Sequence, residues 1–211
     1  MQIEQLIVLY IVLVFSCCVH EFAHAWSANK CGDDTARLLG RMTLNPVVHI
    51  DPIGTILFPL MAMVLSGGFF LFGWAKPVPV NPSHFHNYKR DDIIVSLSGI
   101  ASNLLIALIA ASALRSIYAV GGFPFAVPIV FILQYLMYIN VILAVFNMVP
   151  IPPLDGSRVL YHYLPMEVAQ RFQRLEQYGF VILIFFLYTG VFQRIISIPL
   201  QIFRQIAGPL G

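Results

Sequence analysis

Five long apolar stretches restrict this chain's fold more than any other feature: residues 6–27, 53–72, 93–118, 128–149 and 180–200. A helix rises about 1.5 Å per residue, so crossing a hydrocarbon core of about 30 Å takes about 20 apolar residues. Several of the stretches reach that length. Composition removes the alternative of a water-soluble core: 59% of the 211 residues are hydrophobic and only 10% are charged, against about a quarter charged in soluble domains. The expected fold is therefore an all-α multi-pass membrane protein. It has about four spanning helices, a re-entrant or bent apolar segment at 53–72, and short extended segments in the connections. Residues 1–211 read as a single membrane-embedded domain, with no repeat, no low-complexity tract and no inserted soluble domain.

The first stretch is read as a retained helix and not as a signal peptide. Its leading residues include Gln2, Glu4 and Gln5, with no basic n-region, and no small-residue cleavage site follows. The net charge of +2 gives no support to a nucleic-acid partner. Cys17, Cys18 and Cys31 cannot all pair, and a disulfide framework is not expected. Cys17 and Cys18 precede His20 by less than one turn and remain open as additional metal ligands.

Near the end of the first stretch stands His20-Glu21-Phe22-Ala23-His24. Residues four apart share a helix face, so two imidazoles spaced this way can address one metal ion. Glu21, three residues before His24, shares that face and is placed to take a proton from a metal-activated water. The competing reading is buried, hydrogen-bonded histidine. It must account for three polar groups within one span, where an ionisable side chain costs about 2.5–3.5 kcal/mol at the helix centre.

A catalytic zinc needs a third protein ligand. Glu4, Asp33, Asp34, Asp51, Asp91, Asp92, Glu167 and Glu176 lie in polar connections, at helix edges or near a terminus. Asp155 differs, following the fourth apolar stretch within Pro150-Ile151-Pro152-Pro153-Leu154-Asp155-Gly156. Prolines that break a helix at membrane depth are tolerated where the freed backbone is buried or lines a cavity. Asp155 is thus the candidate third ligand; its alternative role is to cap the next helix. His49, His84, His86 and His162 are read as loop or interface residues.

These residues resemble the site-2 protease family of intramembrane metalloproteases, peptidase family M50. The resemblance combines His20-Glu21-x-x-His24 with the stretch from Asn147 to Gly156, similar to the family signature N-x-x-P-x-P-x-L-D-G. Residues 41–46, 49–55 and 73–82 are similar to the small bacterial branch without PDZ or CBS domains, and the likeness extends over roughly residues 6–160. It implies one zinc ion per chain on His20, His24 and Asp155, the bilayer as surroundings, and hydrolysis of peptide bonds in membrane-embedded protein substrates. It also implies a place for Asn147 beside the active site, steadying substrate or the developing oxyanion; an ordinary interhelical hydrogen bond is the alternative. The family's G-P-x-x-N pattern reads Gly99-Ile100-Ala101-Ser102-Asn103 here, and Gly99 and Asn103 are read as architectural.

A metal shared by His24 and Asp155 requires the first and fourth stretches to run in the same direction. Residues 53–72 must then make no net crossing, for which Pro59 and Gly67-Gly68 provide the bend. Connections 30–51, 73–92 and 150–177 fall on one side and hold most of the Lys and Arg, which marks that side as cytoplasmic. The expected location is a cell membrane, the inner membrane of a bacterium, with the active site toward the cytoplasm. Arg194 and Arg204 fit this only if the last helix stops short or lies in the interface. The Pro-rich stretch 77–82 suggests an extended edge able to pair with an unwound substrate strand. The rival functions are a zinc-regulated membrane transporter and an inactive metal-binding scaffold.

Overall fold

The structure is a computed structural model, and it describes residues 3–59, 61, 73–121 and 126–208. Its helices are α1 (Ile3–Lys30), α2 (Thr35–Leu38), α3 (Tyr88–Ala119), α4 (Ala126–Met148), α5 (Asp155–Tyr161), α6 (Met166–Arg174), α7 (Gly179–Tyr188) and α8 (Val191–Ala207). No strand occurs among the described residues. α1, α3 and α4 are each long and apolar enough to span a membrane. Their outer faces suit lipid: Ile3, Ile7, Ile11 and Phe15, one turn apart on α1, are 50% to 75% exposed. Such a stripe would be costly in water.

Inside the bundle the contacts are made by small residues. Ala25, Ala28, Ala107, Ala111 and Ser96 are all fully buried. Without a hydrophobic drive between helices in lipid, close approach of backbones and interhelical hydrogen bonds hold such an interface. Ascending positions on α1 meet descending positions on α3: His20 bonds Asn103, His24 bonds Val95, and the Cys31 carbonyl accepts from the His86 amide at 3.0 Å. α3 is therefore antiparallel to α1. Asn103 and Tyr118 of α3 bond Asn140 and Gln134 of α4, so α4 is antiparallel to α3 and parallel to α1.

The connection between α1 and α3 starts and ends beside itself, because the Cys31–His86 bond places both of its ends at the same end of the bundle. Within it the Trp74 amide donates to the Gly54 carbonyl at 3.0 Å, and Lys76 donates to His49 at 2.8 Å. Residues 60 and 62–72 of the expected re-entrant segment lie outside the described residues. The described flank is organised by one repeated device, a short polar residue before proline. Asn45, Asp51 and Asn81 each accept from a backbone amide of the turn that begins at Pro46, Pro52 or Pro82. The side-chain oxygen satisfies an orphan amide while proline, needing no partner, takes the first helical position.

Asp33 does not sit on the surface as its polar neighbourhood suggests. It is fully buried and accepts from the Thr35 amide and hydroxyl, the Asn81 amide at 2.7 Å and His84 Nδ1 at 3.1 Å. Burial alone would push its carboxyl up, but these donors outweigh it and hold it below the ordinary carboxylate value.

The last apolar stretch is not one straight helix. Gly190, at φ 74°, separates α7 from α8, and the axis turns by 69° there. Phe192 packs on Phe146, and Ala207 joins Ala110, Leu114 and Met137 in a cluster toward the opposite end of the bundle. Arg204 donates to the Tyr138 hydroxyl at 3.1 Å with its guanidinium over that ring.

Candidate active site

His20 and His24 lie ten and six residues before the end of α1 at Lys30, about 15 and 9 Å inside the helix terminus. Asp155 opens α5, placed there because α4 ends at Met148 and the proline turn redirects the chain. Gly156 is essential to this placement: a Cβ at that position would collide with the Met148 carbonyl. The three side chains converge. His20 Nε2 and His24 Nε2 are 2.9 Å apart, and Asp155 Oδ2 lies 3.2 Å and 3.3 Å from them.

The Nδ1 atoms define what converges. His24 Nδ1 is 2.7 Å from the Val95 carbonyl, which can only accept, so Nδ1 carries the proton. His20 Nδ1 is 2.7 Å from Asn103 Oδ1 and donates likewise. In the neutral rings both Nε2 atoms therefore present lone pairs, toward each other and toward a carboxylate oxygen. Asp155 Oδ2 is buried and has no hydrogen-bond partner despite the two close nitrogens. Three acceptors facing one point repel unless a cation lies between them. Tetrahedral zinc with ligands at about 2.0–2.1 Å separates them by about 3.3 Å, near the observed spacing, so the donor set fits zinc. His20, His24 and Asp155 form the one His/Cys/Asp/Glu group able to hold a metal among the described residues. Cys17, Cys18 and Cys31 are free thiols outside it.

Gly99 brings α3 against this group. A Cβ there would lie 2.5 Å from His24 Nε2 and His20 Cε1, and 2.7 Å from His20 Nε2. Its role thus exceeds the architectural one expected, because any side chain would enter the metal-ligand space. Glu21, Asn147 and Val78 line the same cavity, of about 530 Å³. Glu21 Oε2 accepts from the Val78 amide at 2.7 Å, which tethers the carboxylate to the extended stretch after Trp74. Asn147 Nδ2 donates within its own helix to the Leu143 carbonyl at 3.0 Å. The extended stretch has little left to offer a substrate strand: Pro77 and Pro79 lack N–H groups, Val78 is committed to Glu21, and Asn81 to Asp33. Among the described residues, the Val80 amide and the carbonyls of Val78, Pro79 and Val80 remain, whereas the Pro77 carbonyl accepts from Arg41 and those of Asn81 and Pro82 from His84 and Phe85.

Sequence reasoning missed several residues around the site. Asn140 and Ser16, both fully buried, continue the hydrogen bonding beyond Asn103. Asp92 and His162 form a buried pair at 2.7 Å between the start of α3 and the end of α5. The available signal was a polar side chain within an apolar run, which rarely occurs without a partner. His49 bonds the Thr43 carbonyl and His84 bonds Asp33, both away from the metal group.

Helices of spanning length with an H-E-x-x-H pair and an aspartate from a later segment define a membrane-embedded metallohydrolase. The sequence comparisons agree. The model of peptidase family M50 matches residues 116–189, a span that holds Asn147 and Asp155. "Putative zinc metalloprotease YwhC" of Bacillus subtilis is 40% identical over 177 residues, 82% of this chain and 77% of that protein. Rip2 of Mycolicibacterium smegmatis, which bears the same description, is 30% identical over 181 residues, 86% of this chain and 66% of its own length. Rip2 of Mycobacterium tuberculosis H37Rv is 30% identical over 169 residues, and the chain spans 62% of its length. No solved structure matches the chain at a significant level. The chain belongs to peptidase family M50, the site-2 protease family, and is a metalloprotease.

Proposed function

We propose that this chain, as a single domain over 1–211, is an intramembrane zinc metalloprotease that hydrolyses peptide bonds of membrane-embedded protein substrates. The observation that carries the proposal is the convergence of His20 Nε2, His24 Nε2 and Asp155 Oδ2, all within 3.3 Å of one another, well inside the end of a spanning helix. One zinc ion held there supplies Lewis-acid activation of water, bringing its pKa toward about 7.

The chain's residues do the rest. Glu21 accepts the proton as water adds to the scissile carbonyl and returns it to the amine nitrogen as the C–N bond breaks. The Val78 amide fixes one carboxylate oxygen during this exchange. Asn147, on the cavity wall, steadies the substrate carbonyl or the oxyanion developing on it. The basic connections share the end of the bundle that carries the site, which supports a cytoplasm-facing active site in a bacterial inner membrane.

Elemental analysis of detergent-purified protein tests the metal centre: about one zinc per wild-type chain and strong loss in Asp155→Ala are expected. Equal zinc in both would remove Asp155 from the site. Glu21→Gln should keep zinc and lose turnover by about 10²- to 10⁴-fold. Full proteolysis by that variant would leave a general-base role for Glu21 untenable.

A further inference from the structure

Asn103, which bonds His20, is itself held by a closed circuit of buried polar groups that returns to α1. Asn103 Nδ2 donates to Asn140 Oδ1 at 2.8 Å. Asn140 Nδ2 donates to Ser16 Oγ at 2.8 Å and to the Leu136 carbonyl at 2.8 Å. Ser16, Asn103 and Asn140 are each 0% exposed, and they come from three different spanning helices.

The direction of every bond in this circuit follows from two backbone carbonyls, which can only accept: Leu136 takes Asn140 Nδ2 at 2.8 Å, and Ser16 takes a longer bond from Asn103 Nδ2 at 3.5 Å. The Leu136 carbonyl can only accept, so the amide nitrogen of Asn140 must face it and Ser16, which turns Asn140 Oδ1 toward Asn103. That oxygen requires a donor, so Asn103 presents its nitrogen to Asn140 and its oxygen to His20. An oxygen at this point requires the proton of His20 on Nδ1, which leaves Nε2 with the lone pair a metal needs. Turned the other way, the Asn103 amide would offer His20 a donor, place the ring proton on Nε2 and close that ligand. An amide alone in a low-dielectric interior has two orientations of similar fit; the circuit leaves one.

We propose that Asn140, seconded by Ser16, is a positioning residue for zinc: it fixes the orientation of Asn103 and thereby the metal-binding tautomer of His20. The role rests on the proposed ligation by His20, Asp155 and His24. It accounts for polar side chains deep within helices 3–30, 88–119 and 126–148, where an unpaired amide would be expensive. It also explains why Ser16 lies one turn before His20, on the helix it helps to orient.

The test is zinc affinity, measured by chelator competition on detergent-purified full-length chain, beside thermal unfolding. Asn140→Leu removes donor and acceptor at similar volume. Asn140→Asp, neutral in this interior, retains a carbonyl acceptor for Asn103 and a hydroxyl donor for Ser16. Outer-shell partners of metal ligands typically contribute about 10- to 100-fold in affinity. Asn140→Leu should therefore bind zinc roughly tenfold or more weakly, and Asn140→Asp should recover most of the loss. If Asn140→Leu binds zinc as wild type does, or if both variants weaken binding equally, the circuit does not set the tautomer and the proposal fails. Absence of zinc from wild type would instead overturn the ligand assignment itself. Should Asn140→Leu not fold, Ser16→Ala against Ser16→Thr makes the same comparison one bond further out.

Discussion

Gly99→Ala sets two physical tendencies against each other. Gly99 lies in the interior of α3, where glycine is about 0.5–1 kcal/mol worse than alanine, so helix propensity alone makes the variant more stable. The site demands the reverse. The added methyl would lie 2.5 Å from His24 Nε2 and His20 Cε1 and 2.7 Å from His20 Nε2. Non-bonded contacts favour about 3.5 Å or more, so the rings would have to withdraw by about 1 Å. Their Nδ1 atoms are pinned at 2.7 Å on the other side, by Val95 and Asn103. Metal–ligand distances tolerate about 0.2 Å. A shift several times larger at two of three ligands should cost more than the roughly 100-fold upper range seen for outer-shell changes. Zinc content and chelator competition on purified Gly99→Ala, with thermal unfolding alongside, provide the assay. A folded variant carrying one zinc at wild-type affinity would refute the close approach of α3 to the imidazoles.

Two further outcomes follow from neighbouring contacts. Val78→Pro deletes the amide that holds Glu21, a hydrogen bond to a charged group worth about 1.5–3 kcal/mol; turnover should fall roughly 10- to 100-fold with zinc retained, while Val78→Ala stays near wild type, and equal activity in the two would sink the idea. His162→Leu strands the Asp92 carboxylate, whose side chain is 7% exposed and whose Oδ1 already lacks a partner. Thermal unfolding should show a loss of about 3–5 kcal/mol, largely regained when Asp92→Leu is added; a neutral single variant would show that the pair does not brace α5 against α3.

Much of the candidate site was legible in the residues themselves because the proposed chemistry is carried by a local spacing. His20, Glu21 and His24 are one helical turn apart, and that period alone puts them on one face whatever else the chain does. Asp155 was legible for a different reason: an acidic residue behind a proline-broken apolar run has few other uses. The helix bounds followed closely from the length of the apolar runs: α1, α3 and α4 start two to five residues before the hydrophobic limits, and at the start of α3 the polar cap Asn87 sets the actual end. The break in the last run was not legible from its length: the left-handed turn at Gly190 divides it, just before Gln193 and Arg194.

By itself, then, the sequence determined the membrane environment, the two-histidine face, the candidate third ligand and the requirement that the first and fourth stretches run parallel. Each depends on composition, a short period or a parity argument, none of which needs coordinates. Only the tertiary structure decided which atoms meet: Gly99 against the imidazoles, Val78 on Glu21, and the path from His20 through Asn103 and Asn140 to Ser16. Those contacts join residues 37 to 124 positions apart in the chain. An asparagine in an apolar helix announces that it needs a partner, but the helix period cannot say on which neighbour that partner stands, because crossing positions are set by how small residues let the helices close.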